Sequence, residues 1–372
     1  MKKTCWPGIL LALTTLPLWP QQSDPHVGIS GQSRPAAAPP KVLTRRSPED
    51  RERASRVARH IILNVVVTDA SGKPVSGLQG SDFTLLDNHQ PQPIVSFQAV
   101  EGRTAKPPVH VIFMLDTLNN SFQNVAYELR AVEKYLDQNR EQLRFPVSIA
   151  VLTDAGIDLG QPSRDGKALI GQLKKVHMPV ETIGFPLGAP NARRFHQSVK
   201  SLTQLVIDQE DVPGRVILIW LGTGWPLLSD GPYPGSSMDK RNFFGEILNL
   251  SSGFLDAQMT LDAISSPNLM RQTGRSRDYY KPFLKGVQRA EQADPGNLAL
   301  PVLAYQSGGQ VFEDDKGLVA DIARCVADLE SYYVLSFDSP LAAQDIEYRA
   351  LQITVDKPGL SPRTNASYYA QP

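Results

Sequence analysis

The sequence predicts an α/β protein: a doubly wound, mostly parallel sheet joined to a small β-sandwich built from both ends of the chain. Three observations predict it. Residues 106–331 alternate apolar runs of strand length with segments of helical period, as a parallel sheet covered on both faces requires. The flanking segments, 59–105 and 332–372, read instead as short strands of period two separated by turn residues. A chain of 372 residues is also long enough for about two domains.

The first twenty residues have the parts of a secretory signal: Lys2 and Lys3, then an apolar stretch from Ile9 to Leu18 broken by Thr14, Thr15 and Pro17. The stretch is shorter than the roughly 20 apolar residues of a membrane span. Residues 1–20 are therefore expected to be a signal peptide and the protein to be exported. Residues 21–58 pass from a Pro/Ala/Ser/Gly tract into the charged run RRSPEDRERASR, a composition that buries too little apolar area to offset its ordering entropy, and they read as a linker.

From Ile61 the period becomes two, with Leu63, Val65 and Val67 on one face; DFTLLD (82–87) and IVSFQAV (94–100) follow. These three strands are expected to form one sheet. YYVLSFD (332–338), YRALQITV (348–355) and ASYYA (366–370) would supply the layer that covers it. Between them, VHVIFMLD (109–116) is a buried central strand. It feeds a helix at 122–138 with Val125, Leu129, Val132 and Leu136 on one stripe and Asn119, Asn120 and Ser121 as caps. VSIAVLTD (147–154), an edge strand IDLGQ (157–161) and helices at 165–175 and 192–209 come next. RVILIWLGTGWP then holds a second central strand. A short helix at 242–250, strand 259–265, a helix at 297–307, strand 309–314 and a helix at 317–330 complete the alternation.

Composition removes several function classes. Thirty-eight Lys+Arg against 38 Asp+Glu leave no basic excess, and no nucleic-acid partner is expected. Two cysteines, Cys5 and Cys325, exclude a disulfide scaffold and a CxxC zinc site, and Cys325 lies on the apolar stripe of its helix as a small core residue. None of the six histidines has a catalytic context, and neither a G-x-S-x-G elbow, an HExxH pair nor a phosphate-cradling glycine run occurs. The insert at 265–296 interleaves Arg271, Arg275, Arg277, Lys281, Lys285 and Arg289 with Tyr279 and Tyr280; such a mixture can mark a polyanion surface, but with the neutral total and neighbouring acids it is read as a solvated cover over the sheet edge. Loop 225–244 carries Trp225, Tyr233 and Phe243 beside glycines; exposed aromatics there would suit protein recognition, and the alternative is that they pack back onto the sheet.

In a doubly wound sheet the ligand crevice lies at the carboxyl ends of the strands, here the loops DTLNNS, GQPSRD and LGTGWP. VVVTDASGKPVSGLQGSDF (65–83), the strand ending in Asp116, LIWLGTGWP (218–226), SGGQVF (307–312) and YYVLSF (332–337) occur in that order over about residues 60–370. In these motifs the chain resembles the bacterial VWFA-related proteins. The resemblance implies a von Willebrand factor A domain, a periplasmic or secreted location, and a metal-ion-dependent adhesion site in which two Asp, two Ser and a Thr hold Mg²⁺. Transferred residue by residue, the first Asp is Asp116, the first Ser becomes Leu118, the second becomes Asn120, the Thr falls on Ser163, and the second Asp falls on Gly222 or Thr223. One carboxylate then replaces two and a hydroxyl is lost, so Asp116, Asn120 and Ser163 make a degenerate site at which Mg²⁺ is not expected to bind. The expected function is non-catalytic protein binding, adhesion or scaffolding, through a crevice of Asp116, Asn119, Asn120, Ser121, Ser163, Thr223 and Trp225. The alternative is an extracytoplasmic hydrolase with an unrecognised site.

Overall fold

The computed structural model describes residues 59–106, 108–138, 142–176, 189–228, 236–265, 278–313 and 317–370. The expected signal peptide and linker, Tyr233, and Arg271, Arg275 and Arg277 of the insert lie outside them.

Four strands open the fold: β1 (His60–Thr68), β2 (Phe83–Asp87), β3 (Gln90–Gln92) and β4 (Ser96–Glu101). The α/β part follows, with β5 (His110–Asp116), α1 (Phe122–Gln138), β6 (Val147–Thr153), β7 (Gly156–Leu159), α2 (Gly166–Leu173), α3 (Ala189–Glu210) and β8 (Val216–Leu221). It ends with α4 (Ser237–Asp256), β9 (Met259–Ile264), α5 (Leu300–Gln306), β10 (Val311–Phe312) and α6 (Leu318–Ala327). β11 (Ser331–Asp338), β12 (Glu347–Val355), β13 (Ser361–Arg363) and β14 (Ser367–Ala370) close the chain.

The central sheet has the order β10-β9-β8-β5-β6-β7. All its pairings are parallel except that of β7, which runs antiparallel beside β6. β5 and β8 are almost wholly apolar because both faces are covered, and β9 adds the buried Thr260 and Asp262. Val111, Phe113 and Leu115 face α1, α2 and α6, through Val132, Leu169 and Ile322. Ile112 and Met114 face α3, α4 and α5, through Leu202, Phe254 and Leu300. This alternation is the period of a strand written twice, once for each layer.

The outer strands form two antiparallel four-stranded sheets, β13-β1-β11-β4 and β14-β12-β2-β3. Leu63, Val65 and Val67 of the first pack with Leu85, Ile353 and Tyr368 of the second, so the pair is a sandwich with one core. The expectation of a sheet made of the three N-terminal strands is corrected. β1 and β4 do not pair with each other; both flank β11, and β2 pairs with β12. Each sheet therefore contains strands from both ends of the chain, and neither end presents a complete sheet alone.

The helix expected at 242–250 starts earlier and ends later, as α4. Ser236 and Asp239 form a reciprocal capping box that starts it at Ser237, five residues upstream. The short strands β3 and β13 carried no period long enough to read.

Buried charge joins the sandwich to the α/β part. Arg363 of β13 meets the Asp328 carboxylate at 2.6 Å and the carbonyl of Gly308 at 3.2 Å. Arg215 donates to the backbone carbonyl of Asp328 at 3.0 Å while its guanidinium lies 4.5 Å from the ring centroid of Tyr332 on β11.

Candidate functional site

β5 ends in Asp116, fully buried at the carboxyl edge of the sheet. The chain turns at once into α1, and the first turn after the strand is held by Asp116 itself. Its Oδ1 accepts from the backbone N–H of Asn119 at 2.9 Å and from the Asn119 side-chain amide at 3.0 Å. Oδ2 accepts from the same amide at 3.0 Å and from the indole N–H of Trp220 on β8 at 3.3 Å. The Asn119 amide also donates to the hydroxyl of Ser198 on α3, at 3.0 Å. Asn120 points the other way, toward α1, where its amide donates to Glu128 at 3.2 Å.

Asp116 and Glu128 are thus two buried carboxyl groups in one cluster, each held by a neighbouring asparagine. Burial raises Asp116 from 3.8 to about 6, opposed by the Asn119 and Trp220 hydrogen bonds. Burial also raises Glu128 well above the usual carboxylate range, and the charge of Asp116 adds to the rise. Arg194, buried on the first turns of α3, brings positive charge: burial lowers its pKa and the field of Asp116 opposes that.

Of the residues expected at the crevice, Asp116, Asn119 and Asn120 come together. Ser121 caps α1 as expected, its hydroxyl accepting from the backbone N–H of Asn124 at 3.4 Å. Thr223 is buried in the loop after β8. In that loop Gly222 has φ +125°, and a Cβ there would stand 2.4 Å from Asn120 Nδ2, so glycine lets the backbone close over the asparagine.

Ser163 does not join them. It pairs through its backbone with Val147, at the start of β6, whereas Asp116 lies level with Leu152. Five residues of strand, roughly 16 Å, separate the two levels. The antiparallel run of β7 carries the chain back to the opposite edge of the sheet before Ser163 is reached, and there the hydroxyl accepts from the Asp165 N–H.

Trp225 is buried, not exposed. Its indole N–H donates to the Leu298 carbonyl at 3.1 Å, and its ring meets Trp220 edge-on at 5.4 Å. Phe243 is buried likewise, against Phe195. The apolar core under the loop claims both rings, so they are not recognition side chains.

This donor set does not fit Mg²⁺. A hard cation needs oxygen lone pairs turned inward. Here both oxygens of Asp116 are taken by N–H donors, the Asn120 side chain turns its N–H toward Glu128, Leu118 has no ligand atom, and Ser163 is at the far edge. What the arrangement does is brace the β5–α1 turn against β8 and α3. It leaves the first turn of α1 as the accessible rim, with Phe122 53% exposed beside it.

Glu128, Arg194, Ser198 and Trp220 join the site by folding and carry no motif. Glu128 has one sequence signal: it lies three residues after Val125 and four before Val132, on the stripe that packs against the sheet, where a carboxylate is out of place. Arg194 and Ser198 lie four apart beside the Phe195–Val199 stripe, a weaker signal.

No family model matches the chain, and no curated protein matches it. Solved structures with a related arrangement include an aerotolerance-related membrane protein from Bacteroides fragilis, with 13% identity over 59% of this chain and 98% of that one and a TM-score of 0.32. The human COPII-coat protein Sec24c is 9% identical over 74% of this chain and 46% of that one, with a TM-score of 0.34. The minor pilin PilB of Streptococcus sanguinis is 11% identical over 60% and 62%, with a TM-score of 0.35. The doubly wound assignment stands on strand order, β7-β6-β5-β8-β9-β10, with its single antiparallel edge strand.

Proposed function

We propose that the protein is an exported, non-catalytic binding module of the von Willebrand A type, and that it engages a protein partner at the carboxyl edge of its central sheet without a metal ion. One observation carries this reading. The strand-end carboxylate is fully buried and both its oxygens are occupied by amide and indole donors. A carboxylate so enclosed serves neither as a metal ligand nor as a base reaching a substrate; it shapes the turn that presents Ser121 and Phe122. An apolar ring flanked by the polar cap of a helix is a common anchor for a protein partner. Adhesion and scaffolding in the cell envelope are the roles such a surface suits.

The rim can be tested without touching the buried cluster. Phe122→Ser changes an exposed side chain on the first turn of α1 and leaves Asp116, Asn119 and Asn120 in place. Capture from a cell-envelope extract by wild type and variant, compared side by side, should show a partner that the variant loses. Retention of every captured protein by Phe122→Ser would remove this edge of the sheet as the interface.

A further inference from the structure

A groove of about 450 Å³ runs along the seam of α3 and α4, far from the Asp116 cluster, where the helices meet the sandwich. Gly253 sets its depth: a Cβ there would stand 2.6 Å from Cγ1 of Val206, so only glycine lets the two helices approach this closely. The walls are open and mixed: Thr203, Asn249 and Ser252 line it beside an apolar strip in which Ile207 of α3 is 49% exposed and Ile346, before β12, 38% exposed. Leu248 and Tyr369 also line it.

Glu210 and Asp256 stand in the same groove, as the last residues of α3 and α4. Both helices precede strands of the parallel set, β8 and β9, so both present their carboxyl ends at the same edge. Acidic residues at helix carboxyl ends oppose the helix dipole, which favours cations there. Two dipoles and two carboxylates therefore reinforce one another. Neither carboxylate has an ion pair or hydrogen bond among the described residues, and Asp256 is raised first by burial and then by the charge of Glu210. No lysine or arginine occurs in 202–214 or 242–258, which hold Asp208, Glu210, Asp211, Glu246 and Asp256. The intrinsic stability of the helices gains nothing from this pattern; a cationic occupant would.

We propose that this groove docks a lysine or arginine from an extended segment of a partner protein, its aliphatic stem along Ile207 and Ile346 and its cation between Glu210 and Asp256. Long basic side chains combine an apolar stem with a charged tip, and the groove offers a surface for each. The acidic end would also steer a basic partner into place.

The probe is a fluorescent peptide of alternating valine and lysine, with a valine–glutamine counterpart, titrated against the full chain at low salt and followed by anisotropy. The lysine peptide should bind, and added salt should weaken it. Glu210→Gln/Asp256→Asn should weaken it about tenfold, and Ile207→Ser severalfold. All three side chains reach solvent, and circular dichroism checks that the variants fold. Equal binding of the two peptides, or unchanged affinity in the double variant, would overturn the proposal. So would a rise in affinity on replacing Arg51, Arg53 and Arg56 by glutamine in the full chain, since the chain's own segment would then be the occupant.

Discussion

Asp116→Asn separates a desolvated structural carboxylate from a solvated or ligating one. Burial raises Asp116 from 3.8 to about 6 in the folded chain. Between those values the folded state holds more protons than the unfolded state, so this residue's contribution to stability grows as pH falls through 6 and is lost as pH rises past it. One pH unit corresponds to about 1.4 kcal/mol. Going from about pH 8 to about pH 5, one unit below the folded pKa, therefore adds about 1.4 kcal/mol to wild type through this group. Asparagine takes up no such proton. It keeps an oxygen for the Asn119 donors but leaves the Trp220 N–H facing another donor, which costs ~1–3 kcal/mol at either pH. The destabilisation by Asp116→Asn should thus be about 1.4 kcal/mol larger near pH 5 than near pH 8. Urea unfolding followed by tryptophan fluorescence reads it directly, since Trp220 and Trp225 are both buried. The same difference in stability at both pH values would refute the reasoning, because the carboxylate would then be titrating as if in water.

Other outcomes follow from the same geometry. Glu128→Gln keeps a polar partner for Asn120 and removes a carboxyl whose pKa burial raises, so its stability relative to wild type should rise with pH in the same unfolding assay. Gly222→Ala must place a Cβ against Asn120 at a positive φ and should cost roughly 1–3 kcal/mol. Arg363→Met leaves Asp328 buried without its 2.6 Å partner and should cost about 3 kcal/mol, measured by thermal or urea unfolding. Cys325, buried with its thiol pKa raised by burial and by Asp262, should not react with a thiol reagent until the chain unfolds.

Long regular elements were legible in the sequence because burial imposes a period on them. β5 and β8 read as unbroken apolar runs, and α1 and α6 read as stripes, since each has a defined face against the sheet. Strand pairing in the sandwich was not legible. Leu63 and Leu335 share one sheet although 272 positions apart in the chain, and alternation says which face a residue takes without saying which strand lies beside it. Ser163 was misplaced for a related reason: reading loop order along the chain does not reveal that β7 reverses direction and returns to the opposite edge. Neighbouring glycines leave both an exposed and an inward-packed Trp225 open, and the structure takes the second, because a large ring above an apolar sheet is drawn into the core. Asp116 and Asn120 were found by motif, whereas their partners Glu128 and Trp220 come from separate elements and are brought to them by folding.

Capture of a partner in the presence of excess EDTA tests the central claim most directly, namely that the carboxyl edge of the sheet binds without a metal. The same partner should be captured in EDTA as in Mg²⁺, with no heat on titrating Mg²⁺ into the purified protein. Release of the partner by EDTA and its recovery on adding Mg²⁺ would contradict it.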